Sequence, residues 1–215
     1  MRTTLLLALI TTAVAAGAPA AQAATLTVDR PCVRPTQPIG FTGAGFAADE
    51  SVRLLLGTEL VDAFSVGPDG GFAGRFQAPG LGDAGRLSRA LTLTNDYGTS
   101  ATAKVIVTEL GAAMKPATAR PGSLVTFRPF GFVEGGTIYA HYALTKSDTV
   151  HRLVTTVRLG TLKGPCGDGL FKVRQLPLAR PRPGVYEIQF DTSKAYHRQQ
   201  GVYVERTVFV ARKRG

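Results

Sequence analysis

Two thiols and three imidazoles are the side chains here best suited to form covalent bonds, hold metals or move protons, so their positions decide which chemistry is open. Cys32 and Cys166 are the only cysteines. Cys166, next to a glycine, is a conceivable nucleophile, yet pairing with Cys32 accounts for it more simply. His141, His151 and His197 all lie in the second half of the chain, at spacings that match no zinc-ligand pattern. There is no Gly-x-Ser-x-Gly elbow, no His-Glu-x-x-His pair and no phosphate-cradling glycine loop. Nothing marks one pair of the 15 acidic residues over another for acid–base work. The expectation is therefore no catalytic residue, no metal and no cofactor.

A binding surface is better supported. The stretch DTSKAYHRQQGVY, residues 191 to 203, brings Tyr196, His197, Arg198 and Gln199 together. An aromatic, a titratable ring and several hydrogen-bond donors at the tip of a hairpin are what a rigid β-scaffold uses to present a contact surface. The same end of the scaffold faces the junction between the two halves, so packing against the first half is the other expectation for this loop. A second candidate surface is TKSDTVHRLVTT, residues 145 to 156, which lengthens a hairpin at the opposite, free end.

The compartment comes from the N-terminus. MRTTLLLALITTAVAAGAPAAQA has a basic residue at Arg2, an apolar run from Leu5 to about Ala16 and a small-x-small ending at Ala21-Gln22-Ala23. That is the layout of a secretory signal peptide, residues 1–23, cleaved after Ala23. The apolar run is shorter than the roughly 20 residues a membrane-spanning helix needs, and no later stretch is long and apolar enough, so the mature chain is expected to carry no transmembrane segment.

The elements that position these residues are strands. The chain of 215 residues has 25 Gly, 13 Pro and 44% hydrophobic residues, enough apolar content for a core but too much punctuation for long helices. Period-two alternation bounded by turn residues predicts seven short strands in the first half: Thr25–Asp29, Ile39–Phe46, Ser51–Gly57, Leu60–Val66, Gly71–Gln77, Arg89–Thr94 and Thr102–Thr108. The scheme then repeats at an offset of 86 positions: Arg34-Pro35 matches Arg120-Pro121, Phe41 matches Phe127, and Gly45-Phe46 matches Gly131-Phe132. The turn Gly67-Pro68-Asp69-Gly70 returns as Gly164-Pro165-Cys166-Gly167. Two copies of one sandwich are expected, at 24–109 and 113–211, with a linker near Glu109 to Ala113 and a basic tail at 212–215. In GAGFAADESVRLLL, residues 43–56, the glycines turn the chain over the end of the sandwich, Phe46 plugs the core, and Val52, Leu54 and Leu56 alternate inward.

These motifs, with SVGPDGGFAGRFQAP at residues 65 to 79, resemble the bacterial immunoglobulin-like domains of secreted actinobacterial proteins. Over the second to fifth strands of the first copy the chain is also similar to the neocarzinostatin-type apoproteins, sandwiches that carry a chromophore in a cleft. That likeness implies a small-molecule carrier. The carriers have two disulfides within one domain, whereas each half here has a single cysteine.

Strand alternation also places the thiols. Cys32 falls in the first turn of the first copy, at the end where that copy hands over to the next, and Cys166 falls in the fourth turn of the second copy, at the end facing the first. An interdomain disulfide is expected, the alternatives being two free thiols or an intermolecular pair. The formal net charge is +10, with much of the excess in the second half, at Arg174, Arg180, Arg182, Lys194, Arg198 and Arg212-Lys213-Arg214. A basic exported chain is drawn to anionic surfaces such as cell-envelope polymers, or works with another exported protein. Nucleic acid is disfavoured because its aromatic-and-basic recognition motifs are absent. Taken together, the sequence is expected to encode a secreted, non-catalytic binding or scaffolding protein of all-β, tandem seven-stranded immunoglobulin-like fold, with a small-molecule carrier as the alternative.

Overall fold

The computed structural model describes residues 23–146, 151–198 and 206–210. All regular structure in them is strand, and among them no helix is long and apolar enough to cross a membrane.

The N-terminal half contains β1 (Thr25–Val28), β2 (Cys32–Val33), β3 (Pro38–Ala44), β4 (Ser51–Leu56), β5 (Glu59–Ser65), β6 (Phe72–Gln77), β7 (Arg86–Thr94) and β8 (Ser100–Thr108). They form a three-stranded sheet in the order β1-β3-β6 and a five-stranded sheet in the order β2-β8-β7-β4-β5. The count is eight where alternation predicts seven, because the first edge strand is split between the sheets. Pro31 has no N–H to continue the β1 ladder. The chain crosses over there, Ile106 N donates to Pro31 O at 2.9 Å, and β2 runs parallel to β8 with Cys32 opposite Ile106. Cys32 thus sits in a strand and not in a turn. The other predicted strands fall where alternation put them, with their ends shifted by up to three residues.

The C-terminal half contains β9 (Gly111–Lys115), β10 (Leu124–Phe130), β11 (Thr137–Thr145), β12 (His151–Thr161), β13 (Phe171–Arg174), β14 (Gly184–Asp191) and β15 (Arg206–Val210). Its sheets are ordered β13-β10-β9 and β12-β11-β14-β15. The pairing scheme of the first half recurs. β9 pairs with β10 from Gly111 onward, opposite Phe130, so only Glu109 and Leu110 separate the last strand of one half from the first of the next. The expected linker through Ala113 is mostly strand.

Each half closes its own core. Ile39, Phe41, Val52, Leu54, Leu91, Leu93, Val105 and Val107 fill the first; Val125, Phe127, Ile138, Ala140, Tyr142, Tyr186, Ile188 and Phe190 fill the second. The alternation along β4 reads exposed–buried and places Val52, Leu54 and Leu56 inward, each side chain worth about 1.5–3 kcal/mol when removed from water. Tyr186 near the start of β14 donates its hydroxyl to Arg182 O at 2.9 Å, the tyrosine corner that fixes the entry to this strand in many sandwiches.

The Gly-Phe corners show why Gly45-Phe46 returns as Gly131-Phe132. Phe46 and Phe132 are 5% and 1% exposed, each in its own core. The glycine before each has positive φ, +84° at Gly45 and +78° at Gly131. A Cβ on Gly45 would collide with the backbone at Ala23–Ala24, and one on Gly131 with the backbone at Glu109–Leu110. The Gly-Phe corner therefore turns the chain, seats a ring in the core and leaves room for the segment that leads into the first strand of the same half.

Candidate functional site at the seam

Three features converge where the halves meet. The first is the disulfide between Cys32 and Cys166, with Cα atoms 5.2 Å apart and 134 positions of sequence between them. Both cysteines are 2% exposed. Cys166 is held in a tight turn in which Lys163 and Asp168 exchange backbone hydrogen bonds at 2.8 and 2.9 Å, while Gly169 N donates to Pro129 O at 2.9 Å. That turn is locked both within itself and onto the end of β10.

The second feature is a pair of cross-seam ion pairs. Arg34 Nη2 donates to both oxygens of Glu134, at 3.1 and 2.8 Å, joining the residue after β2 to the turn between β10 and β11. Arg86 Nη2 donates to Asp168 Oδ1 at 2.6 Å, with both side chains around two-fifths exposed. An exposed pair such as Arg86–Asp168 contributes only about 0–1 kcal/mol, while Arg34 is four-fifths buried beside the exposed Glu134. They set orientation more than stability; the covalent bond supplies the strength.

The third feature is a pair of adjoining open hollows. One, of about 440 Å³, is lined by Gly85 and Arg86 from the first half and by Ala113, Arg128, Pro129, Phe130, Asp168 and Gly169 from the second. Its neighbour, of about 540 Å³, shares Arg128, Asp168 and Gly169 and adds Lys115, Thr126, Lys163 and Leu170. Sequence reasoning missed this groove: its residues come from β7, β9, β10 and a turn, and only Lys163 and Asp168 to Leu170 are close to the cysteine that drew attention.

The sequence-selected loop behaves differently. The segment after β14 folds over the outer face of its own sheet. His141 on β11 is fully buried and ties it down: Nε2 lies 3.1 Å from Asp191 Oδ1 and 3.0 Å from Ser193 O, and Nδ1 lies 2.8 Å from Thr156 Oγ1. Since Asp191 and Ser193 O can only accept, Nε2 carries the proton that they share. Asp191 also accepts from Ser193 N at 2.8 Å and from Gln189 Nε2 at 2.7 Å. Tyr196 packs its ring 5.6 Å from that of His141, and Gln189 Nε2 donates to His197 O at 3.1 Å. Tyr196 and Arg198 are half-buried, the His197 side chain is exposed, and Gln199 lies outside the described residues.

The histidines are dispersed. His141 is taken up by the anchor, and His151 opens β12 with Nδ1 2.7 Å from Glu187 Oε2. No group of three His, Cys, Asp or Glu side chains is placed to hold a metal among the described residues. The hairpin at 145–156 joins β11 to β12 as its position predicts, with residues 147–150 outside the described set. Beside it lies a hollow of about 260 Å³ lined by Leu144, Leu153, Val154, Leu178 and Tyr186 with Arg152, Arg180 and Arg182.

No family model matches the chain, and no curated protein does. Among solved structures, the ligand-binding domain of human OSCAR is 12% identical over 87% of this chain and 96% of that one, with a TM-score of 0.38. The fibronectin(III)-like modules of Clostridium thermocellum CbhA are 12% identical over 86% of this chain and 93% of theirs, at 0.31. A Salmonella alpha-2-macroglobulin mutant is 15% identical over 91% of this chain, at 0.31, and this chain spans 15% of its length. The fold class itself rests on the strand pairing described above.

Proposed function

We propose that the chain is a secreted, non-catalytic binding or scaffolding protein, a tandem duplication of an immunoglobulin-like sandwich of the kind found in exported actinobacterial proteins, acting at or outside the cell envelope. The observation that carries this reading is the Cys32–Cys166 bridge across the seam. Such a bond persists in oxidising compartments, in keeping with the secretory layout of residues 1–23. It also fixes two cores in one orientation, so that surface from both halves acts as one. The non-catalytic part is supported by His141, whose ring is buried with both nitrogens engaged. Its partners on this reading are anionic envelope polymers or another exported protein.

The test is fractionation of a producing culture with crosslinking. The chain is expected to start at Ala24, to run with its cysteines joined, and to appear in the medium or the envelope wash. Recovery from the cytoplasm with free thiols would overturn the reading. A second reading, a carrier of a small amphiphilic anion, is favoured by the apolar hollow rimmed with Arg152, Arg180 and Arg182. In the same experiment a small molecule that stays with the purified chain would select it.

A further inference from the structure

The two three-stranded sheets expose outer faces of different charge. In the N-terminal half that face offers Thr27, Thr42 and Ala73, with a single acid at Asp29 and a single base at Arg75. In the C-terminal half the same face carries Lys115 on β9, Arg128 on β10, and Lys172 and Arg174 on β13, all exposed. These three strands contain no acidic residue. Register puts Lys115 and Lys172 on either side of Thr126 and Arg174 opposite Leu124. Two strand spacings separate the lysines, about 10 Å, and Arg128 lies one same-face step along, about 7 Å.

This face runs into the seam groove. Lys115, Thr126 and Arg128 line it together with Lys163, and it continues past Ala113 and Phe130 to Arg86 of the first half. Asp168 is the one carboxylate among the described residues of its lining, and Arg86 already engages it. No carboxylate among the described residues pairs with Lys115, Arg128, Lys163 or Lys172. Cations laid out in a row and left unneutralised by their own protein attract a polyanion far better than a single small anion, because each added contact releases further counterions.

We propose that the outer face of β9, β10 and β13, with the groove that leads to Arg86, binds a linear anionic glycopolymer whose repeating sugar or polyol units carry phosphodiester or carboxylate groups. Exposed Leu124 and Leu170, at 55% and 68%, give the C–H faces of such units something to rest on. Single-stranded nucleic acid fits less well, since bases need aromatic platforms. Of the phenylalanines on these strands, Phe127 and Phe171 face the core, and Phe130 alone lies on the outer face, across Gly111. The proposal deepens the reading above and rests on it for its compartment.

The test uses the purified, disulfide-intact mature chain. Poly(glycerol phosphate), polygalacturonate, neutral dextran and a single-stranded oligonucleotide are titrated by calorimetry at two salt concentrations. One or both acidic glycopolymers are expected to bind, and which one does identifies the anionic group. The triple change Lys115→Glu, Arg128→Glu, Lys172→Glu should weaken binding about tenfold or more and flatten its salt dependence by about three counterions. The equal charge change Arg75→Glu, Arg89→Glu, Lys104→Glu, at exposed positions of the N-terminal half, should leave it within about twofold. Glutamine at the first three sites, giving the same direction of effect, covers a glutamate triple that folds poorly by circular dichroism. Equal losses in both triples, no binding of either polymer, or tighter binding of the oligonucleotide would each overturn the assignment. These outcomes are read on the isolated chain, so failure of the culture fractionation is separable from them.

Discussion

Tyr142 is fully buried in the C-terminal core, and its hydroxyl donates to Gln175 Oε1 at 2.9 Å. Burial pushes its phenol up to about 12, opposed in part by a backbone hydrogen bond involving Leu176. The folded chain therefore holds the proton over a range in which the unfolded chain, at about 10, has lost it. The unfolded state binds fewer protons there, so stability is whole below pH 10 and falls from about 10 to 12. The slope contributed by this one group is about 1.4 kcal/mol per pH unit. Urea midpoints measured from pH 8 to 11 should drop on the alkaline side, and Tyr142→Phe should flatten that limb. An equally steep limb in the variant would assign the fall to other groups. At this scale the sequence was only partly legible. Tyr196, His197 and Arg198 stood out as a mix of ring and charge, but of the residues that tie their segment down, His141 and Gln189 lie inside strands, and Asp191, which opens the same stretch of sequence, ends β14. A polar residue's burial depends on where a later loop folds back, and alternation along one strand carries no record of that.

The corner at Gly131 has a control elsewhere in the same half. Gly131 and Gly122 have nearly equal positive φ, +78° and +79°. A Cβ at Gly131 would meet the Glu109 carbonyl, whereas one at Gly122 would meet nothing within 4 Å. Gly122→Ala should cost about 1 kcal/mol from backbone strain alone. Gly131→Ala should cost about 2–3 kcal/mol or more, since the entry to β9 must shift as well. Denaturant melts of the two variants side by side would check this, and equal losses would mean that the close approach is not rigid. Strands such as β3, β4, β6 and β10 were the most legible part of the chain, because each alternates between a core face and a wet face. The two-residue β2 was not legible, being too short to show a period. The early start of β9 was hidden by Gly111-Ala112-Ala113, whose small side chains give alternation little contrast.

At the scale of the molecule, two cores with no shared residue are joined, among the described residues, by the Cys32–Cys166 bond, the Arg34–Glu134 and Arg86–Asp168 ion pairs and the short Glu109-Leu110 connection. Chain-entropy reasoning for a loop of 134 positions puts the value of the bond at about 5 kcal/mol as an upper figure. Calorimetry of the Cys32→Ser, Cys166→Ser double variant should show a lower midpoint and two separable transitions where the oxidised chain shows one. An unchanged trace would mean that the bond adds nothing to the contacts around it. The meeting of the two cysteines was legible from the oxidising compartment and from the ends of the two copies at which they fall, although Cys32 lies in β2 and not in the turn that alternation gave it. The ion pairs were not: Arg34 and Glu134 are 100 positions apart, and nothing in either stretch names the other. The bridge has one more effect, which appears when the chain is pulled. Tension applied between Ala24 and Val210 passes from Cys32 directly into Cys166 and bypasses everything from Val33 to Pro165. Most of the first sandwich, and β9 to β12 of the second, then feel no stretching, while β1 and β13 to β15 are left to yield. A tether anchored at both termini would lengthen by the release of those few strands and keep the rest of its surface intact.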